Sequence, residues 1–194
     1  MATSTRWRTV DIVVASVIAV AFGVIFWAWN LLWTGPAATA FGAFKPATAI
    51  IYGVWLVPAV LGPLVIRRPG AGVFTELVAS IVSTLLGSPW GLLTILYGLF
   101  QGLAGEFAFA ATAYRSWRLP TAAVGGALAG GAAVLLDLVN FYADWSDGWK
   151  VAYTVILIAS STVIAGVGSW ALARALAQTG VLDRFPSGRD RVPV

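Results

Sequence analysis

The sequence predicts an all-α, polytopic membrane protein with six transmembrane helices and both termini on the cytoplasmic side. Three observations predict it. Of 194 residues, 59% are apolar and only 10% charged, against about 25% charged in an ordinary water-soluble domain. The apolar residues form long unbroken runs rather than the short alternating segments of a membrane barrel, and a helix satisfies its own backbone groups in lipid. Six alternating spans also gather the arginines on one side of the bilayer, which the positive-inside rule makes the cytoplasmic side.

A hydrocarbon core about 30 Å thick needs about 20 helical residues. Helix 1 is expected over Val10–Trp33, preceded by Arg6 and Arg8. Its apolar run is too long for the roughly 7–15-residue core of a signal peptide, so it reads as a retained span. It carries the ridge Ala15-x-x-x-Ala19-x-x-x-Gly23, which permits close approach of another helix of this chain or of a partner. The outer segment Thr34–Ala49, rich in Gly, Ala and Pro, is long enough for either a lid or a plain connector. Helix 2, Ile50–Ile66, contains Pro58 and Pro63, each of which removes a backbone donor. Arg67 and Arg68 then lead into helix 3, Ala71–Leu86, and Gly87-Ser-Pro-Trp-Gly91 reads as a tight outer turn. Helix 4 is expected over Gly91–Tyr114, helix 5 over Pro120–Phe141 and helix 6 over Lys150–Leu176. Arg115 and Arg118 lie between helices 4 and 5, and Arg174, Arg184, Arg189 and Arg191 at the end. Lys45 and Lys150 alone fall on the other side. Trp7, Trp117 and Trp170 belong near the inner interface and Trp33, Trp90, Trp145 and Trp149 near the outer one, as expected of aromatic belts. The chain reads as one integral membrane domain, residues 1–194.

Chemistry is restricted by what the sequence lacks. There is no cysteine and no histidine, which removes the usual zinc ligands and the Ser–His and Cys–His pairs of nucleophilic catalysis. No G-x-x-x-x-G-K-[ST] phosphate loop occurs. Neither an enzyme nor a resident cofactor or metal is expected. The net charge of +4 follows from the sided arginines and does not argue for nucleic acid.

Three acids fall within spans, where an ionisable group costs about 2.5–3.5 kcal/mol on insertion scales and usually faces a protein interior or polar cavity. Glu106 lies nine residues before Arg115, and Glu76 eight after Arg68, so both sit about 12–14 Å from the arginine side at ~1.5 Å per residue. Asp137 lies near the outer surface. No basic residue occupies a comparable depth, so the acids are protonated, or satisfied by neutral groups, or matched by a cationic ligand. Glu76, Ser80 and Ser83 share one helical face, as do Tyr97, Gln101 and Gly105, and Asp137 with Asn140. Gln101 and Glu106 are about 140° apart around an ideal helix and cannot both point at one cavity centre unless the helix bends. The residues alone leave open a stand-alone secondary transporter or channel for a small organic cation.

Several segments together resemble a known family: Tyr52-Gly-Val-Trp55, Arg67-Arg-Pro-Gly-Ala71, Glu76, Gly87-Ser-Pro-Trp-Gly91 and Gln101-Gly-Leu-Ala-Gly-Glu106, with weaker likeness at Asp137 and Thr179-Gly-Val-Leu182. They resemble the YkoE-like substrate-binding (S) components of energy-coupling-factor (ECF) transporters, associated with thiamin and its hydroxymethylpyrimidine precursor. The resemblance implies a bacterial plasma-membrane subunit that binds a vitamin from outside and works with a transmembrane coupling protein and two cytoplasmic ATPases. It implies that Ala15, Ala19 and Gly23 meet the coupling protein and that Thr34–Ala49 acts as a gate. Taken with the residues, it directs attention to Glu106 and Gln101 for polar recognition, Trp55, Tyr52, Trp90 and Tyr97 for stacking, and Asp137, Asn140 and Glu76 as further ligand contacts. A carboxylate suits the thiazolium cation or the aminopyrimidine of such a ligand, and aromatic faces favour the cation.

Overall fold

The computed structural model describes residues 6–190, which form helices joined by short turns; Arg191 lies outside the described residues. We label the helices α1 (Thr9–Ala40), α2 (Lys45–Ile66), α3 (Ala71–Leu85), α4 (Leu93–Ala111), α5 (Leu119–Asn140) and α6 (Asp147–Gln178). Five of them are long and apolar enough to cross a membrane, and α3 is a shorter apolar helix of 15 residues. Their exposed faces carry Val, Leu, Ile and Phe, including Val13, Val17, Phe107, Leu135 and Val155, as expected where lipid rather than water is the solvent.

Packing follows from where the small residues lie. α1 packs on α3, α3 on α4, α4 on α5 and α5 on α6, while α2 occupies the middle and touches most of the others. Every residue of Val57–Ile66 in α2 is buried. Gly98 of α4 sits against Ser80 of α3, and Gly126 of α5 against Ser161 and Gly166 of α6, each where a Cβ would collide. The glycines thus set the interhelical distances.

The ridge Ala15–Ala19–Gly23 corrects one expectation. All three are buried, and Gly23 lies against Ala79 and Val82 of α3. The ridge therefore closes an internal helix pair and is not presented to a coupling protein. The exposed surface of α1 includes Val13, Val17, Val20 and Val24.

A second correction concerns Thr34–Ala49. α1 continues through a π-helical stretch, Trp33–Ala37, to Ala40, and α2 already begins at Lys45. Pro36 is accommodated inside the π-stretch, and Ala37, Ala38 and Ala40 carry the highest helix propensity of any residue. Only a short turn separates the two helices, so this segment is no long lid.

The arginine-bearing end is tied together by polar contacts. Trp7 donates its Nε1–H to the Pro69 carbonyl (2.9 Å), and Asp11 pairs with Arg8 (2.7 Å) and Arg68 (3.3 Å). The Asp11 carboxylate also accepts from the Arg8 backbone N–H (2.9 Å), closing the start of α1. At the other end, Gly87 and Gly91 take positive φ (96° and 55°) in the turn expected there.

Candidate ligand-binding cavity

The second helix shapes the site. Its first part, Lys45–Leu56, is a 12-residue 3₁₀ helix that passes into α geometry at Val57. Runs of more than three or four residues in this winding are uncommon, and side-chain bonds from neighbouring helices hold it here. Ser160 Oγ donates to the Ile50 carbonyl (2.7 Å) and Trp29 Nε1 to the Ile51 carbonyl (3.0 Å). At three residues per turn, positions i and i+3 eclipse. Tyr52 and Trp55 thus share one face, with ring centroids 5.1 Å apart.

That face forms one wall of a cavity of about 210 Å³ enclosed by α1–α5 and the chain just beyond α5. Trp33 meets Trp55 (4.8 Å) and Tyr52 (5.7 Å), and Trp90 stands edge-on to Trp55 (5.7 Å, 90°). Phe26, Tyr97, Phe141 and Tyr142 complete the aromatic lining. Such a box favours a flat, electron-poor or cationic ring.

The polar lining draws on each of α1–α5. Asn30 Nδ2 donates to Ser83 Oγ (3.2 Å), and Trp55 Nε1 donates to Asn30 Oδ1 (3.1 Å), which fixes the Asn30 amide and the indole together. Gln101 Nε2 donates to Tyr52 Oη (3.3 Å). Asp137 accepts from Tyr97 Oη (2.9 Å) and Tyr153 Oη (2.6 Å), so each of its oxygens already has a phenolic donor. Burial and the Asp137 charge push the nearby Tyr142 phenol up to about 12, which keeps it a neutral donor at the mouth.

Glu76 is the group left with capacity. Its side chain is wholly buried and lines the cavity. Oε2 accepts from the Ala59 backbone N–H (2.9 Å), one of the free donors at the start of the α-helical part of α2. Oε1 is buried and accepts no hydrogen bond from the described residues. A carboxylate offers about four lone-pair sites, and an unsatisfied buried polar atom costs about 1–3 kcal/mol. The position therefore suits a ligand that brings N–H donors or a positive charge.

Of the residues singled out from sequence, Glu76, Gln101, Tyr97, Trp55, Tyr52, Trp90 and Asp137 meet in this one cavity. Glu106 does not line it. It is buried nearer the arginine end, where Oε1 accepts from the Gly70 N–H (2.8 Å) and Oε2 from the Gly72 N–H, closing the start of α3. The 140° offset from Gln101 turns it away. Asn140 does not line the cavity either; it is exposed and donates to the Leu136 carbonyl (2.8 Å). Sequence reasoning missed Phe26, Asn30 and Trp33. Asn30 had a signal: it continues the buried stripe Asp11, Ala15, Ala19, Gly23, Phe26 along α1, where a lone amide in an apolar helix needs a partner.

Residues 10–132 match the family described as "ABC-type cobalt transport system, permease component". Over 186 residues the chain is 36% identical to the putative HMP/thiamine permease protein YkoE of Bacillus subtilis (strain 168), covering 95% of this chain and 92% of that protein. Among solved structures, the crystal structure of an S-component of an ECF transporter superposes with a TM-score of 0.87 at 34% identity, covering 95% of this chain and 93% of that one.

Proposed function

We propose that this chain, which belongs to the YkoE-like family of S components of energy-coupling-factor transporters, takes up thiamin or its hydroxymethylpyrimidine precursor in the aromatic cavity. As an S component it is a vitamin-binding, non-enzymatic, multi-pass subunit of the cell membrane. The choice of vitamin follows the relative named for HMP and thiamine and one observation above all: Glu76 lines the cavity, and its buried Oε1 has no donor among the described residues. Both candidate ligands carry an aminopyrimidine whose amine can supply that donor. Trp33, Trp55 and Trp90 would then flank the ring, with Gln101, Asn30 and Ser83 on its polar edge. The thiazolium of thiamin would extend toward Tyr97, Asp137 and Tyr142.

In this reading residues 1–194 form one domain that crosses the membrane six times with both termini in the cytoplasm. All the described arginines then lie inside and Lys45 and Lys150 outside, in keeping with the positive-inside rule, and the cavity lies toward the outside. The partners are a transmembrane coupling protein and two cytoplasmic ATPases, since the chain has no phosphate loop of its own. The matched family's description names cobalt, but the lining suits an organic cation better. Divalent transition metals take several N, S or O ligands in fixed geometry. Here one carboxylate oxygen is free, and Asp137 is engaged by two tyrosines.

Calorimetric titration of the purified chain with thiamin and with hydroxymethylpyrimidine tests the reading. Saturable one-to-one binding without ATP is expected from at least one of them. No heat from either, in protein that is folded and monodisperse, would reject it.

A further inference from the structure

A second cavity, of about 240 Å³, opens at the arginine-bearing end, on the far side of the molecule from the aromatic one. Arg67, Arg118 and Arg174 line it, together with Trp117, Trp170 and Ser187. Two of the arginines are held over indole faces: Arg174 lies 4.7 Å from the Trp170 ring and Arg67 5.5 Å from the Trp117 ring. These contacts orient the guanidinium planes; Arg67 also donates from Nη1 to the Pro186 carbonyl (3.4 Å) and contributes its charge to the cavity, while Arg174 is exposed. Arg118 and Arg174 form no ion pair among the described residues. The N-terminus of α5, a helix of 22 residues, also opens here, with Arg118 at its cap and Leu119 as its first residue. Its backbone dipole adds positive potential at the same point.

The vitamin site makes no use of this cavity, and its chemistry is opposite. The guanidinium groups of Arg118 and Arg174, the added charge of Arg67 and a helix N-terminus define a receptor for a phosphate oxyanion, which guanidinium binds in bidentate fashion. The surroundings indicate how that phosphate is carried. The helices framing the cavity present exposed apolar side chains, Leu119 and Val124 on α5 and Val163, Val167 and Leu172 on α6, and the tryptophans sit at the interface between such surface and the charged end. We propose that the cavity binds the phosphodiester head group of an anionic phospholipid, whose acyl chains run along α5 and α6. Basic pockets between transmembrane helices on the cytoplasmic side commonly hold such head groups. With the orientation proposed above, the lipid belongs to the inner leaflet.

The shared chemistry of a lipid head group and free phosphate is separated by one experiment. Thermal unfolding of the full chain in a neutral detergent is followed with added phosphatidylglycerol, with phosphatidylcholine of the same acyl chains, and with inorganic phosphate. Phosphatidylglycerol is expected to raise the midpoint saturably by about 5 °C, with little change from the other two. The double variant Arg118→Gln/Arg174→Gln should lose most of that rise, and Arg115→Gln, outside the cavity, should keep it. Both replaced side chains are exposed, so the fold survives their loss; if the double variant aggregates, each single variant carries half of the test. An equal rise with inorganic phosphate alone would retain the oxyanion site and transfer it from lipid to a soluble anion. An equal rise with phosphatidylcholine, or a rise that the arginine variants do not reduce, overturns the proposal. Thiamin titration of the same samples keeps this outcome separate from that of the vitamin site.

Discussion

Glu76 and Glu106 differ in one count. Each is a buried carboxylate in a membrane-depth helix with no ion pair among the described residues, and each accepts from backbone N–H at the start of a helix. Glu106 has one donor for each oxygen, from Gly70 and Gly72. Among the described residues Glu76 has a donor for Oε2 only, and its side chain lines the aromatic cavity. One acid is a clasp between α4 and the start of α3; the other is a clasp with a lone pair to spare. A buried acid is thus not a ligand group because it is buried. It becomes one through the acceptors left after the backbone has been served.

The largest effect expected from breaking this contrast is on stability. Glu106→Ala strips the partners from two N–H groups, at about 1–3 kcal/mol each, so unfolding in detergent should become easier by about 2–6 kcal/mol, with vitamin affinity in the folded fraction close to wild type. A selective loss of affinity without loss of stability would return Glu106 to the binding site. Glu76→Gln should do the reverse. The amide oxygen can still accept from Ala59, but an NH₂ replaces the charged acceptor. Calorimetry should show binding weaker by roughly 10–100-fold, the worth of a charge-assisted hydrogen bond, at nearly unchanged stability. Unaltered affinity would remove Glu76 from the recognition of the ring.

Smaller effects sharpen the same contrast between packing and binding. Gly23→Ala places a methyl group against Val82 and Ala79, and overpacking of this kind costs about 1–3 kcal/mol. Its signature is a lowered unfolding midpoint in the isolated chain; normal stability with failed assembly would instead mean that α1 meets its partner through this ridge. Trp55→Phe removes the indole donor to Asn30 and weakens the cation–π face. The affinity loss should be about 5–10-fold, measured by the same titration. The smallest signal is spectroscopic. Burial, and then the adjoining Glu106 carboxylate, push the Tyr114 phenol up to about 12. Removing the neighbouring charge favours the phenolate, so Glu106→Gln should move this titration down toward the usual value of about 10. Ultraviolet difference titration against Tyr114→Phe reads it directly, and an unmoved midpoint would mean that burial alone sets it.

Much of the helical layout was legible because lipid leaves few alternatives. The expected Ala71–Leu86 and Pro120–Phe141 compare with Ala71–Leu85 and Leu119–Asn140. The stripe Glu76, Ser80, Ser83 and the pair Tyr97, Gln101 were readable from helical spacing, and all five line the cavity. Other features were hidden for physical reasons. Gly and Pro in Thr34–Ala49 signal a loop by local propensity, yet a π-stretch admits Pro36 and the helix runs on. The ridge on α1 has the same spacing whether it meets α3 or a foreign helix. Which acid keeps a free oxygen depends on where the N–H groups of Ala59, Gly70 and Gly72 end up, and no periodicity in the sequence encodes that.

The winding of Lys45–Leu56 has a consequence for how the site could be dismantled. A 3₁₀ turn rises about 2.0 Å per residue and an α turn about 1.5 Å, so rewinding this stretch of 12 residues would shorten it by roughly 6 Å. It would also swing Tyr52 and Trp55 about 60° out of register, since three residues cover only about 300° of an α-helix. Vitamin pocket and overstretched coil are therefore a single object: relaxing the coil dissolves the wall, without any hinge or flap having to move.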